Sequence, residues 1–147
     1  MLKSIHRNRM LAATAALVAA MLPLNSLSAA PMLPPCPASP NCVSSQATDS
    51  GQRVEPFAFT DTPVAAQARL VRVLEKATRA KIVEARPGAL SVEFTSLIFR
   101  FVDDVRFELD ANARVFHLRS ASRTGHSDMG VNRRRVEALR TAFAAER

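Results

Sequence analysis

The sequence contains no apolar run of the about 20 residues that a membrane-spanning helix ordinarily takes. The apolar run from Met10 to Leu24 has only 15 residues and carries Pro23 near its end. Basic residues without an acid precede it, and a small-residue stretch at 25–30 follows. These are the three parts of a secretory signal peptide. We therefore predict a signal peptide at residues 1–30, cleaved near Ala29, and a periplasmic or secreted mature protein of about 118 residues. If cleavage fails, the same segment anchors the chain to the membrane.

Cysteine is scarce, with Cys36 and Cys42 as the only two, and no histidine lies near them. Two thiolates alone make a poor metal site, so we expect no metal. In an oxidising compartment, their five-residue spacer with two prolines favours a small disulfide loop.

Lysine is also scarce, since only Lys76 and Lys81 remain after the predicted signal. The signal removes three of the seven excess positive charges, which leaves +4. The dominance of arginine favours bidentate contacts with carboxylates or phosphates. Export argues against nucleic acid as a partner, and the run Arg133–Arg135 spreads over about 200° of a helix, as on a solvated face. An arginine-rich helix near anionic lipid also allows peripheral membrane contact.

The pattern of prolines and apolar residues predicts a tether at 31–52 and a single α+β domain at 53–147. The first segment is rich in proline and serine, which excludes helix or strand over residues 31–40. Periodicity then gives the order β-α-β-β-β-β-α, an antiparallel sheet of about five strands covered by two helices. The predicted strands are 53–60, 81–86, 90–101 with a phase shift after residue 95, 105–109 and 114–120; the helices are 63–80 and 129–146.

Both predicted helices have an apolar stripe, and the first begins with Thr62 as N-cap and Pro63 behind it. The expected stripes are Val64, Ala68, Val71, Leu74 and Thr78 in the first helix, and Asn132, Val136, Leu139 and Phe143 in the second.

Three stretches together resemble a known family: PCPASPNCVSS at 35–45, FRFVDDVRFELD at 99–110 and RSASRTGHSDMGVNRRRVEALR at 119–140. They are similar to the family called domain of unknown function 1499, which occurs in exported or membrane-linked bacterial proteins and in plastids. The resemblance implies where the protein is located, but it implies no particular reaction or ligand. Arg106 stands where the family pattern has an acid, and His126 where it has an aromatic residue.

The densest polar chemistry lies at 119–137, after the last strand and at the start of the last helix. A helix N-terminus offers free N–H groups to an anion. The first hypothesis is therefore a non-catalytic domain that binds a small anion or an envelope protein, without a cofactor, through Arg119, Arg123, Asn132 and Arg133. Alternatively, these arginines form an internal salt-bridge lattice. The supporting polar residues are Asp103, Asp104, Ser120, Ser122, Asp128 and Glu137.

The second hypothesis is a hydrolase or metal-dependent enzyme that uses acidic and histidine residues at 103–128. Asp103 and Asp104 with His126 and Asp128 would supply the chemistry. Adjacent residues of a strand point to opposite faces, so the paired carboxylates cannot serve one site without a kink. Moreover, no G-x-S-x-G motif surrounds the serines of this region.

Overall fold

A six-stranded sheet and two helices make up the part of the chain that the structure, a computed structural model, describes: residues 33–147. The predicted signal peptide lies outside these residues. Within them, no helix is long and apolar enough to cross a membrane. The elements are β1 (Cys42–Ser44), β2 (Phe57–Ala58), α1 (Pro63–Lys76), β3 (Ala80–Arg86), β4 (Ala89–Thr95), β5 (Val102–Asp110), β6 (Val115–Ser122) and α2 (Val131–Ala145).

All strand pairs of the sheet are antiparallel, in the order β1-β6-β5-β4-β3. The outer edge of β6 pairs with β1 at one end and with the two-residue β2 at the other. The turn between β3 and β4 uses Gly88 at a φ of 82°, in the left-handed region that glycine enters without strain. The predicted α+β class with an antiparallel sheet and two helices is confirmed.

The segment predicted as a tether contributes a strand that the sequence pattern did not reveal. The proline-rich stretch ends at residue 40, and the chain then pairs with β6 through β1, with Val43 in the core. The predicted disulfide between Cys36 and Cys42 is confirmed, and it joins the proline-rich stretch covalently to β1. The strand expected at 53–60 is shorter in the structure: β2 covers two of its residues, and Arg53 forms an isolated bridge with Ser44.

Helix α1 begins as predicted, with the Thr62 side chain accepting from the N–H of Ala65 and Pro63 in the first turn. Its predicted buried stripe is correct at Leu74 and wrong at Val64, which is 80% exposed, and at Ala68. The stripe also extended too far, because the helix ends at Lys76. The residues that face the core are Ala66, Leu70, Val73 and Leu74.

The β4–β5 connection corrects a second prediction. Residues 97, 99 and 101 alternate like a strand, yet β4 ends at Thr95 and β5 begins at Val102. The six residues between them form a loop that is closed by two hydrogen bonds: the N–H of Ser96 donates to the Phe101 carbonyl over 2.9 Å, and the N–H of Phe101 donates to Ser96 Oγ over 2.8 Å.

The core lies between the sheet and the two helices. Its centre is a cluster of phenylalanines in which Phe57 contacts Phe107 and Phe143, with ring centroids 5.5 and 5.7 Å apart. Phe116 meets Phe143 edge to face. The α2 stripe is confirmed in full, since its four predicted residues are all buried. One of them is Asn132, so the buried stripe includes a polar amide.

Candidate functional site

Strand β6 divides the polar residues between the two faces of the sheet. Phe116 and Leu118 point into the core under the helices, and Ser120 continues that face toward α2. Because side chains alternate along a strand, His117 and Arg119 point to the opposite face, called the open face below. The candidate residues of β6 therefore lie on two different faces of the sheet.

On the helix side, Asn132 is fully buried and forms hydrogen bonds with five groups. Its Oδ1 accepts from Ser120 Oγ over 2.5 Å and from Arg135 Nη1 over 2.8 Å. Its Nδ2 donates to the Asn41 carbonyl, to Ser122 Oγ and to Asp128 Oδ2, over 3.1, 3.1 and 2.7 Å. Both hydrogen-bonding atoms of the Asn132 side chain therefore have their partners within the protein.

The same region contains a nearly buried ion pair. Arg135 Nη2 lies 2.5 Å from Asp103 Oδ2, and the two side chains are only 14% and 8% exposed. The Arg135 guanidinium also lies over the Phe94 ring, 4.8 Å from its centroid. A pair this enclosed fixes the position of α2 against β5, and loss of either partner would leave a buried charge.

Asp128 occupies the anion position at the start of α2. Its carboxylate accepts from the backbone N–H groups of Gly130 and Asn132 over 2.9 and 2.7 Å. Burial raises the pKa of Asp128, but these amide donors and the Asn132 side chain outweigh it, so the pKa lies below its ordinary value. The helix N-terminus, which the sequence offered as an anion site, already holds the protein's own carboxylate.

Two of the predicted arginines have partners elsewhere. Arg123 bonds to both oxygens of Asp104 and to Glu93, and these bonds raise its pKa. Arg133 donates to the carbonyls of Gly51 and Arg53 over 2.8 and 2.9 Å.

Glu137, one of the supporting residues, pairs with Arg140 three residues along the helix. The four predicted ligand residues therefore do not converge on one site. Of the three predicted arginines, Arg123 alone has the acidic partners that the lattice alternative expects.

Arg119 differs from the others. Among the described residues its guanidinium has no hydrogen bond or ion pair, and its Nε is buried without an acceptor. Desolvation lowers the pKa of Arg119, and the charge of Asp104 raises it only in part. It lines a cleft of about 250 Å³ on the open face together with Pro34, Ser91, Val92, Asp104, Val105 and Arg106.

Most residues named in the enzymatic hypothesis are engaged in contacts within the protein. Asp103 is buried against Arg135 while Asp104 faces Arg123, so the adjacent carboxylates do point to opposite faces. Ser120 and Ser122 both bond to Asn132, and His126 lies in an exposed loop. In residues 33–147, no group of three or more His, Cys, Asp or Glu side chains is arranged to hold a metal ion.

Two members of the buried network were missed from the sequence. Asn41 lies in the segment expected to be a tether, yet it is buried and its Nδ2 donates to the Gly125 carbonyl over 2.6 Å. Arg135 was assigned to a solvated run of arginines. Its position three residues after Asn132, beside Val136 of the buried stripe, is the signal that could have identified it.

Comparison with known proteins gives a family and nothing more specific. No curated protein and no solved structure matches the chain. The disulfide indicates a location outside the cytoplasm. A family model described as protein of unknown function (DUF1499) matches residues 32–143, so the chain belongs to that family.

Proposed function

We propose that the protein is an exported, non-catalytic domain that binds a small anion in the Arg119 cleft. The observation that carries the proposal is the half-buried Arg119 guanidinium, which has no acceptor among the described residues. Leaving a buried donor unsatisfied costs about 1–3 kcal/mol, and more for a charged group. An anion with oxygen acceptors would remove that cost.

The surroundings of Arg119 favour negative charge. Arg106 lies directly opposite it in the β5–β6 register, and Ser91 lies opposite Arg106 in the β4–β5 register. The acid of the cleft, Asp104, is neutralised from outside by Arg123, at 2.7 Å. Arg106 is itself paired with Glu108, at 2.7 Å, so the uncompensated positive charge of the cleft is that of Arg119.

The volume of the cleft limits the ligand. At about 250 Å³ it lies below the roughly 300–1,000 Å³ of pockets that enclose drug-sized molecules. An oxyanion such as phosphate, or a short carboxylate, fits this volume, and arginine binds both with paired hydrogen bonds.

Calorimetric titration of the protein with inorganic phosphate and with acetate tests the proposal. We expect saturable binding of at least one anion, weakened about tenfold or more in Arg119→Gln, because a charge-assisted hydrogen bond contributes about 1.5–3 kcal/mol. Arg133→Gln is the matched control, since that arginine contacts only backbone carbonyls. Equal binding by wild type and Arg119→Gln, or no saturable binding by wild type, would refute the proposal.

A further inference from the structure

The loop between β4 and β5 exposes an unusual number of large apolar side chains. Leu97, Ile98, Phe99 and Phe101 are 73, 79, 73 and 53% exposed. The loop is nevertheless held by its own hydrogen bonds between Ser96 and Phe101, and the rings of Phe99 and Phe101 stack with centroids 5.5 Å apart. The loop therefore projects from the domain and does not fold its apolar side chains back onto the core. Contiguous exposed apolar surface of this kind marks an interaction site.

A groove of about 710 Å³ extends the same surface, between the end of α1, the α2 side chains from Val131 to Ala142 and the base of the loop. Leu97 and Val131 both line it, which joins the loop to the first turn of α2. The Arg79 carbonyl accepts from the N–H of Thr95 over 3.2 Å, so the α1–β3 connection lies against the base of the loop.

The charges around this apolar surface are almost all positive. Lys76, Arg79, Arg134 and Arg135 line the groove, and Arg100 lies within the loop. The acid among the lining residues is Asp103, which is already paired with Arg135. Lys76 is paired with Glu146 over 2.8 Å, whereas Arg79 and Arg100 are exposed and have no ion pair among residues 33–147.

We propose that this end of the molecule docks on an anionic lipid bilayer, with the Leu97–Phe101 loop inserted among the lipids and the cations on the headgroups. Apolar side chains that enter the acyl boundary, ringed by arginines that remain at the interface, are the features of interfacial membrane binding. The Arg119 cleft shares no lining residue with the groove, so this inference is independent of the proposed anion site.

Co-sedimentation with vesicles tests this inference on protein expressed from the full chain, with its N-terminus determined by mass spectrometry. Vesicles of phosphatidylcholine alone are compared with equal parts of phosphatidylcholine and phosphatidylglycerol. We expect binding to the anionic vesicles that weakens with added salt, because charges at a surface are screened within about 8 Å at physiological ionic strength.

Matched variants separate the apolar and the charged contributions. Ile98→Asp should reduce binding at least tenfold, whereas Val64→Asp, an equally exposed apolar residue at the start of α1, should leave it unchanged. Arg79→Gln and Arg100→Gln should each reduce binding about fivefold. Arg114→Gln, in the turn between β5 and β6 at the opposite end of the sheet, should have no effect. Folding is checked by circular dichroism.

Three results would overturn the inference. Absence of binding to anionic vesicles would do so, as would equal binding by Ile98→Asp and wild type, which would place the contact elsewhere in the chain. The third is a protein that does not bind vesicles but self-associates through the loop, detected as a dimer that Ile98→Asp converts to monomer in sedimentation velocity.

Discussion

Ser120 and Arg119 are neighbours in the chain, yet the two faces of β6 place them in opposite situations. Ser120 enters a buried network in which Asn132, Asp128, Asp103 and Arg135 use each other's hydrogen-bonding capacity. Arg119 reaches the open face with a buried Nε and no acceptor among the described residues. Ser120 therefore stabilises the fold, whereas the guanidinium of Arg119 remains free to bind a ligand in the proposed site.

The buried network explains how an irregular N-terminal segment is fixed to the domain. The Asn41 carbonyl accepts from Asn132, and the Asn41 side chain donates to Gly125 in the loop before α2. The disulfide between Cys36 and Cys42 adds a covalent link in the same segment. A satisfied buried network confers stability because removing one member leaves the others unpaired.

The largest effect in this comparison is expected from Asp103→Ala. It leaves the Arg135 guanidinium buried without a counter-charge, so the free energy of unfolding should fall by about 3–5 kcal/mol. Urea denaturation measures the change. Glu137→Ala, which breaks the more exposed pair with Arg140, should cost at most about 1 kcal/mol. Similar losses in the two variants would contradict the structural role of the network.

Asn132→Ala should cost about 2–4 kcal/mol, because the Ser120 hydroxyl and several donors and acceptors around it lose their partner. Thermal and urea unfolding both report the loss. Asn112→Ala, in the exposed turn after β5, is the matched control and should change the free energy of unfolding by less than about 0.5 kcal/mol. A wild-type stability for Asn132→Ala would mean that water replaces the amide without loss.

Asp128 makes the network sensitive to acid. Its pKa is lower in the folded protein than the unfolded value of about 3.9, so its contribution is present above that pH and is lost as the pH falls through the folded value. Asp128→Asn should therefore be about 1 kcal/mol less stable near neutral pH, with the gap closing below about pH 4. Urea denaturation at a series of pH values measures it. A gap that stays constant into acid would contradict the assignment.

The fold was largely predictable, because the elements with regular periodicity gave their own type and order. The α2 stripe with Asn132 and the alternation of β5 and β6 are the clearest cases. β1 was not predictable, since three residues after a proline-rich stretch carry no periodic signal, and its pairing with β6 depends on a distant strand. The strand predicted over 96–101 was wrong because the apolar residues of this loop alternate as in a strand but are exposed.

The candidate site was only partly predictable for a related reason. Sequence identifies which arginines exist, but their partners come from other strands and helices. Arg123 is satisfied by Asp104 and Glu93 on two neighbouring strands, and Arg133 by the backbone of residues 51 and 53. The lack of such a partner for Arg119 among the described residues is visible only in the three-dimensional structure.

The most direct test of that difference compares Arg119→Met with Arg135→Met by urea denaturation at neutral pH. Arg119→Met removes an unpaired, partly desolvated cation and breaks no contact that stabilises the fold. Its free energy of unfolding should therefore lie within about 0.5 kcal/mol of the wild-type value or exceed it. Arg135→Met leaves Asp103 buried alone and should lose about 3–5 kcal/mol. If Arg119→Met loses as much as Arg135→Met, Arg119 belongs to the structural lattice and the contrast between the two faces is wrong.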